Sequence, residues 1–159
     1  MTSTAVRRAT TADAPALGRL GAQLMRVHFA MDPLRFLDPG DRPEAGYASF
    51  LRHQLQDDEQ AVFVAERDGA VIGYVYAGVE PLSWKELRDR AGFVHDVVVL
   101  EDERRGGVAT ALLSAAIDWL AARTVPRVML WTAHKNAGAQ ALFERLGFRR
   151  TMVEMTLEL

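Results

Sequence analysis

The chain has 159 residues, enough for one ordinary domain with its own core, and its 49% apolar and 25% charged residues argue against long disorder. A formal net charge of −2 lacks the basic field that nonspecific nucleic-acid binding uses, and no apolar run approaches the roughly 18 residues that cross a bilayer. Neither a nucleic-acid nor a membrane partner is therefore expected. With no cysteine there can be no disulfide, thiolate nucleophile or cysteine zinc site, and the first residues lack the apolar core of a signal peptide, so a cytoplasmic location is expected.

In chain order, Val6 to Ala9 forms a short strand, and Thr10, Thr11, Asp13 and Pro15 are residue types that open helices. Leu17, Leu20, Leu24 and Val27 follow at helical spacing. The stretch Asp32 to Pro43, with Pro39-Gly40 inside it, reads as a loop, since proline removes a backbone donor and restrains its neighbour. Tyr47, Phe50, Leu51 and Leu55 mark a second helix. Ala61 to Ala65 and Val71 to Tyr76 are strands joined by an Asp68-Gly69 turn and pair antiparallel. Phe93 to Leu100 is rich in β-branched residues and reads as a buried strand. From Val108 a helix buries Leu112, Leu113, Ala116, Ile117 and Leu120, and Pro126 ends it before a strand over Arg127 to Trp131. Asn136 opens another helix that stops at Gly147, and Val153, Met155, Leu157 and Leu159 alternate with polar residues as a final strand. The three tryptophans, Trp84, Trp119 and Trp131, read as packing residues.

The segment Arg104-Arg105-Gly106-Gly107-Val108-Ala109-Thr110 lies between a buried strand and an amphipathic helix. The first amides of a helix have no internal partners and sit at the positive end of its dipole, so they stabilise a phosphate by hydrogen bonding and by charge. Glycines at 106 and 107 let a pyrophosphate approach those amides, while Arg104 and Arg105 supply cations. A flexible turn with a solvated charge run would look the same locally.

The wider stretch resembles the GNAT superfamily of acyl-coenzyme A-dependent N-acyltransferases. Its signature Arg/Gln-x-x-Gly-x-Gly/Ala is met by Arg104-x-x-Gly107-x-Ala109, and its block Asn-x-x-Ala-x-x-Leu-Tyr-x-x-x-Gly-Phe is similar to Asn136 through Phe148. The resemblance implies a single α/β domain over residues 1–159. It implies a mixed, mostly antiparallel sheet with a splayed central parallel pair, Val94–Leu100 and Val128–Trp131, flanked by about four helices. Acetyl-CoA would be the cosubstrate, with no metal. The backbones of Val98, Val99 and Leu100 would bind the pantetheine arm, and Arg105, Gly106, Gly107, Val108, Ala109 and Thr110 the pyrophosphate. Asn136 would contact the cofactor arm or brace its helix; a plain helix cap is the alternative.

Phe143 stands where the family commonly has a proton-donating tyrosine, which leaves thiolate protonation to water or to Tyr74, Tyr76 or His134. With no cysteine and no serine in a nucleophile-elbow setting, the expected reaction is direct attack of a primary amine on the thioester, its carbonyl polarised by a strand amide. His95 and Asp96 are the candidate bases, with Glu80 behind them; strict alternation allows only one of the adjacent pair to face the cleft unless a bulge intervenes. His28 falls in the region that shapes the acceptor site in the family. A dinucleotide fold is disfavoured because G-x-G-x-x-G is absent. A noncatalytic acyl-CoA sensor or interaction module is the second reading, kept open by Phe143. The alternating last strand could pair with a neighbour's edge in a homodimer. The choice of acceptor resides in loops such as 32–46 and 80–92.

Overall fold

The computed structural model describes residues 3–159. Five strands run β1 (Ala5–Arg8), β2 (Gln60–Arg67), β3 (Ala70–Glu80), β4 (Ala91–Val99) and β5 (Val128–Leu130), in that spatial order. The first four pair antiparallel, and β4 with β5 parallel. Four helices cover the sheet: α1 (Ala14–Met31), α2 (Pro43–Gln54), α3 (Val108–Ala121) and α4 (Ala137–Arg145).

The period-two pattern of the strands sorts side chains to two cores. Val62, Val64, Tyr74, Tyr76 and Val98 meet Leu17 and Leu20 of α1 and Leu51 of α2 on one face. On the other, Val75, Ala77, Val79 and Val94 meet Leu112, Leu113, Ala116 and Leu120 of α3 and Phe143 of α4. Of the helix face expected from Val108 onward, Leu112, Leu113, Ala116 and Leu120 are buried and Ile117 is half-buried. An Asp68-Gly69 turn joins β2 to β3, as the dipeptide indicates.

Three expectations are corrected. Residues 149–159 form no strand, because their alternating pattern finds no ladder partner within the described chain. The parallel pair consequently closes one end of the sheet instead of lying inside it. Trp84 and Trp131 are 84% and 74% exposed and so are not core packing residues, whereas Trp119 packs at the core edge beneath Arg8 and Arg123.

Helices α1 and α2 pack closely because Gly21 has no side chain: a Cβ there would overlap the Tyr47 ring. Gly21→Ala is expected to cost about 1–3 kcal/mol, the usual penalty of overpacking, read as a lower urea midpoint. It should also displace Tyr47, which reaches the site described next.

Candidate active site

Strands β4 and β5 pair only through Gly92, Val94 and the residue between them, opposite Val128 to Leu130. Beyond Val94 the two chains have no shared ladder, and a cleft of about 600 Å³ opens there. Its walls are the end of α1 with His28, the following loop with Phe36 and Leu37, α2 with Tyr47 and Phe50, the β4 residues Val94 to Val97, the β5 exit with Trp131, and α4 with Phe143.

A β-bulge decides which β4 side chains face this cleft. Ala77 of β3 opposes Val94 while Tyr76 opposes Asp96, which leaves His95 as the extra residue. The bulge resets the alternation, so His95 and Asp96 both line the cleft, against the expectation that only one of them would. His95 stacks on Tyr76 at 4.8 Å and lies nearly parallel to Phe93 at 5.7 Å. Its Nε2–H donates to Glu80 Oε1 at 3.0 Å, a tautomer required because the carboxylate only accepts. Nδ1 is then left as the acceptor.

Asp96 is the chemically unusual group. Tyr74 donates its hydroxyl to Asp96 Oδ2 at 3.0 Å, and Tyr47 from α2 donates to the same oxygen. Burial pushes the Asp96 carboxyl above the usual aspartate range, although the two tyrosine donors pull the other way. Burial and the neighbouring Asp96 charge raise Tyr47 and Tyr74 in turn, and push Tyr76 up to about 12. All three phenols therefore stay protonated at neutral pH. Tyr47 had shown in the sequence only as an apolar helix position; a hydroxyl on that face was the single available signal.

His28 lines the cleft edge-on to Phe36 at 4.9 Å, and its Nδ1–H donates to the Leu24 carbonyl at 2.9 Å within α1. Phe143 is 6% exposed, packs edge-on to Phe148 and closes the cleft floor with no proton to give. Of the substitutes considered for it, Tyr74 is committed to Asp96 and Tyr76 donates to Gln54 at 3.3 Å. His134 is exposed and is not part of the cleft wall. Asn136 Oδ1 accepts from the Ala139 amide at 3.1 Å, so it caps α4 as well as lining the cleft.

At the far end of β4 the backbone divides its partners by alternation. The Leu100 amide donates to Ile72 at 2.9 Å and its carbonyl accepts from Glu103, so the Leu100 amide is not free for a ligand. Val98 sits opposite Tyr74 in the β3 ladder, whereas Val99 turns its carbonyl outward to Gln23 at 3.2 Å and Arg104 at 3.3 Å. By the same alternation Val97 and Val99 are the residues whose backbone faces the opening. The Arg104 side chain is therefore folded back on the strand, not extended over the loop.

The loop itself has the form of an anion site. Arg105 and Gly107 both adopt left-handed backbone, at φ 67° and 78°. The first bond of α3 runs from the Ala111 amide to the Gly107 carbonyl at 3.0 Å, so the amides of Val108, Ala109 and Thr110 have no helical acceptor. Nothing lies within 4 Å of the position a Gly107 Cβ would take. Open space, unpartnered amides and a helix N-terminus fit a pyrophosphate. Among the described residues no group of three or more His, Cys, Asp or Glu is placed to hold a metal ion, and no helix is long and apolar enough to cross a membrane.

Comparison with known proteins places this geometry. Over 120 residues the chain is 34% identical to a mycothiol acetyltransferase of Streptomyces griseus, covering 71% of this chain and 36% of that protein, so it spans about a third of that relative's length. A mutant of the BH1408 protein from Bacillus halodurans superposes with a TM-score of 0.83 at 24% identity, covering 98% of this chain and 99% of that one. The aminoglycoside N-acetyltransferase AAC(6')-Iy, solved in complex with CoA, superposes with a TM-score of 0.80 at 21% identity, over 100% of this chain and 96% of that one. The sequence profile of the Acetyltransferase (GNAT) family matches residues 27–148, which include the loop, the bulged strand and the Asn136 helix, and the chain belongs to that family.

Proposed function

We propose that the chain acts as one N-acetyltransferase domain that moves the acetyl group of acetyl-CoA to a primary amine by direct attack. The observation that carries this reading is the β4–β5 gap, which has an open helix N-terminus with unpartnered amides at one end and a partly buried carboxylate at the other. The Val108 to Thr110 amides and the Arg105 guanidinium hold the pyrophosphate, and the backbones of Val97 and Val99 take the pantetheine amides. The thioester carbonyl is polarised by a β4 amide in the gap, which stabilises the developing oxyanion.

Asp96 draws the acceptor's ammonium and takes its proton. A carboxylate held above its usual range is a better proton acceptor than an exposed one. The amine nitrogen then bonds to the acetyl carbonyl carbon and the C–S bond breaks; the attacking nitrogen sheds its second proton, and because Phe143 has none to give, water relays that proton to the leaving thiolate. Apolar and aromatic residues dominate the cleft wall, with Asp96 its one carboxylate. That composition suits a small-molecule or peptide amine with an apolar body. The named relatives act, by their names, on mycothiol and aminoglycosides, both small molecules. Lack of cysteine suits a cytoplasmic enzyme.

His95 positions the acceptor through its bond to Glu80. His95→Ala should lower kcat/KM on the order of 10-fold, the usual cost of a lost positioning contact, and His95→Gln, which still donates to Glu80, should recover most of it. Steady-state kinetics of the two variants checks this. The cosubstrate is tested by calorimetric titration with acetyl-CoA, with NADH as control. Saturable binding of acetyl-CoA alone supports the reading, and binding of NADH alone or of neither contradicts it. Binding without amine-dependent thiol release would favour a sensor.

A further inference from the structure

Few charges line the cleft. Among the described residues its wall holds one carboxylate, Asp96, and no lysine or arginine. The basic residues next in sequence to the wall are engaged elsewhere. Arg26 donates to Glu44 at 2.7 Å, Arg35 to Glu154 at 2.8 Å, and Lys135 to the Met31 carbonyl at 3.0 Å. The two wall histidines present lone pairs. His28 commits Nδ1–H to Leu24 and His95 commits Nε2–H to Glu80, which leaves His28 Nε2 and His95 Nδ1 as acceptors. A ligand therefore meets one anion, two neutral acceptors and no cation.

Aromatic rings accompany that single anion. Tyr47, Phe50, Tyr76, His95, Phe93 and Trp131 follow one another from α2 across the sheet to the β5 exit, each ring centroid 4.8 to 5.9 Å from the next. Tyr76 and Phe93 are buried, whereas Phe50 and Trp131 line the cleft and are 43% and 74% exposed. Leu37 adds a third exposed apolar side chain to the same wall. Large apolar side chains left uncovered in a concave site mark where an apolar ligand lies. Flat rings suit a flat body, which stacks on them or meets them edge-on.

We propose that the cleft selects a primary amine that carries one positive charge, no negative charge and a flat aromatic body. The fate of that amine rests on the acetyl-transfer reading; its selection rests on the wall. Asp96 pairs with the ammonium, and Phe50 and Trp131 take up the ring. A polyamine or an aminoglycoside brings further ammonium groups that find no second carboxylate. An amino acid or a sugar phosphate brings an anion that finds no cation and is repelled by Asp96. A peptide amino terminus sets backbone amides against apolar side chains, where they lose water without gaining partners.

Thiol release from acetyl-CoA with 2-phenylethylamine, spermidine, kanamycin, glucosamine 6-phosphate and an alanyl peptide tests the selection. In kcat/KM, 2-phenylethylamine should lead the multiply charged amines by about 30-fold or more, the cost of leaving a charge unpaired in the cleft. Trp131→Ala should lower kcat/KM for 2-phenylethylamine about 10-fold more than for propylamine, which has no ring to stack. Phe50→Asp, which supplies a second carboxylate, should shift the preference toward spermidine. Calorimetry of the CoA-loaded protein with the same amines should give the same order of affinity without any turnover. Fastest turnover of spermidine, kanamycin, the sugar phosphate or the peptide would leave acetyl transfer standing and overturn the selection. Equal losses for both amines in Trp131→Ala would overturn it too. Preferred binding of 2-phenylethylamine with no thiol release from any amine would support the selection and sink the transfer reading, and neither binding nor release would sink both.

Discussion

Asp96→Asn protein is expected to bind acetyl-CoA as the wild type does and to release thiol about 10²–10⁴-fold more slowly in kcat/KM, the range for loss of a general base. The amide keeps the shape of the carboxylate and still accepts from Tyr47 and Tyr74, so the site geometry is preserved. What is lost is the charge that draws an ammonium and the lone pair that takes its proton. The same substitution should stabilise the fold at about pH 7. Because burial holds the Asp96 carboxyl above its unfolded value, the native state keeps that proton more tightly than the unfolded chain. Its contribution to stability is therefore full below the unfolded pKa, roughly 4, and is lost as pH rises through the raised native value. Asparagine carries no charge to bury. Its melting temperature should exceed that of the wild type near neutrality, with the gap closing toward about pH 4. Wild-type kcat/KM should fall with acid over the window in which Asp96 gains its proton. An Asp96→Asn protein that is less stable than wild type at neutral pH and fully active would show the carboxylate to be only structural.

Gly107→Glu should weaken acetyl-CoA binding on the order of 100-fold or more. Two causes add. A side chain at φ 78° is strained by about 1–2 kcal/mol, and a carboxylate beside the α3 amides competes with the pyrophosphate for the same positive end. No packing is lost, since the space beside Gly107 is open and the residue is exposed, so the melting temperature should fall only by the few degrees that the backbone strain costs. Calorimetry with acetyl-CoA and a thermal scan on the same sample separate the two effects. A binding loss matched by a general loss of fold would remove the loop from the site.

Much of this was legible because periodicity reports burial. Leu112, Leu113, Ala116 and Leu120 are fully buried as their spacing requires, and Gly107 with Ala109 opens α3 where the motif places it. The β4 bulge was not legible, because nothing in Phe93-Val-His-Asp-Val marks where one extra residue enters a ladder; that depends on the β3 register. Without the bulge, His95 and Asp96 compete for one face; with it, both line the cleft. Tyr47 was hidden because its ring fits an apolar helix stripe, while its hydroxyl finds Asp96, 49 residues away. The partners that Leu100 and Arg104 take, Ile72, Glu103 and Val99, were not legible for a related reason: they are set by tertiary contact. The alternating tail, read as a strand from its period alone, has no ladder partner among the described residues, because pairing depends on a neighbouring edge that the period does not report.

The central claim is that the β4–β5 gap joins an acetyl donor to an amine. Its most direct test is thiol release from acetyl-CoA across a panel of small amines and peptide amino termini, with the product weighed by mass spectrometry and Asp96→Asn run beside the wild type. The account predicts amine-dependent thiol release, a product heavier by one acetyl group, and its loss in the variant. Tight acetyl-CoA binding with no acetylated product from any amine would contradict it.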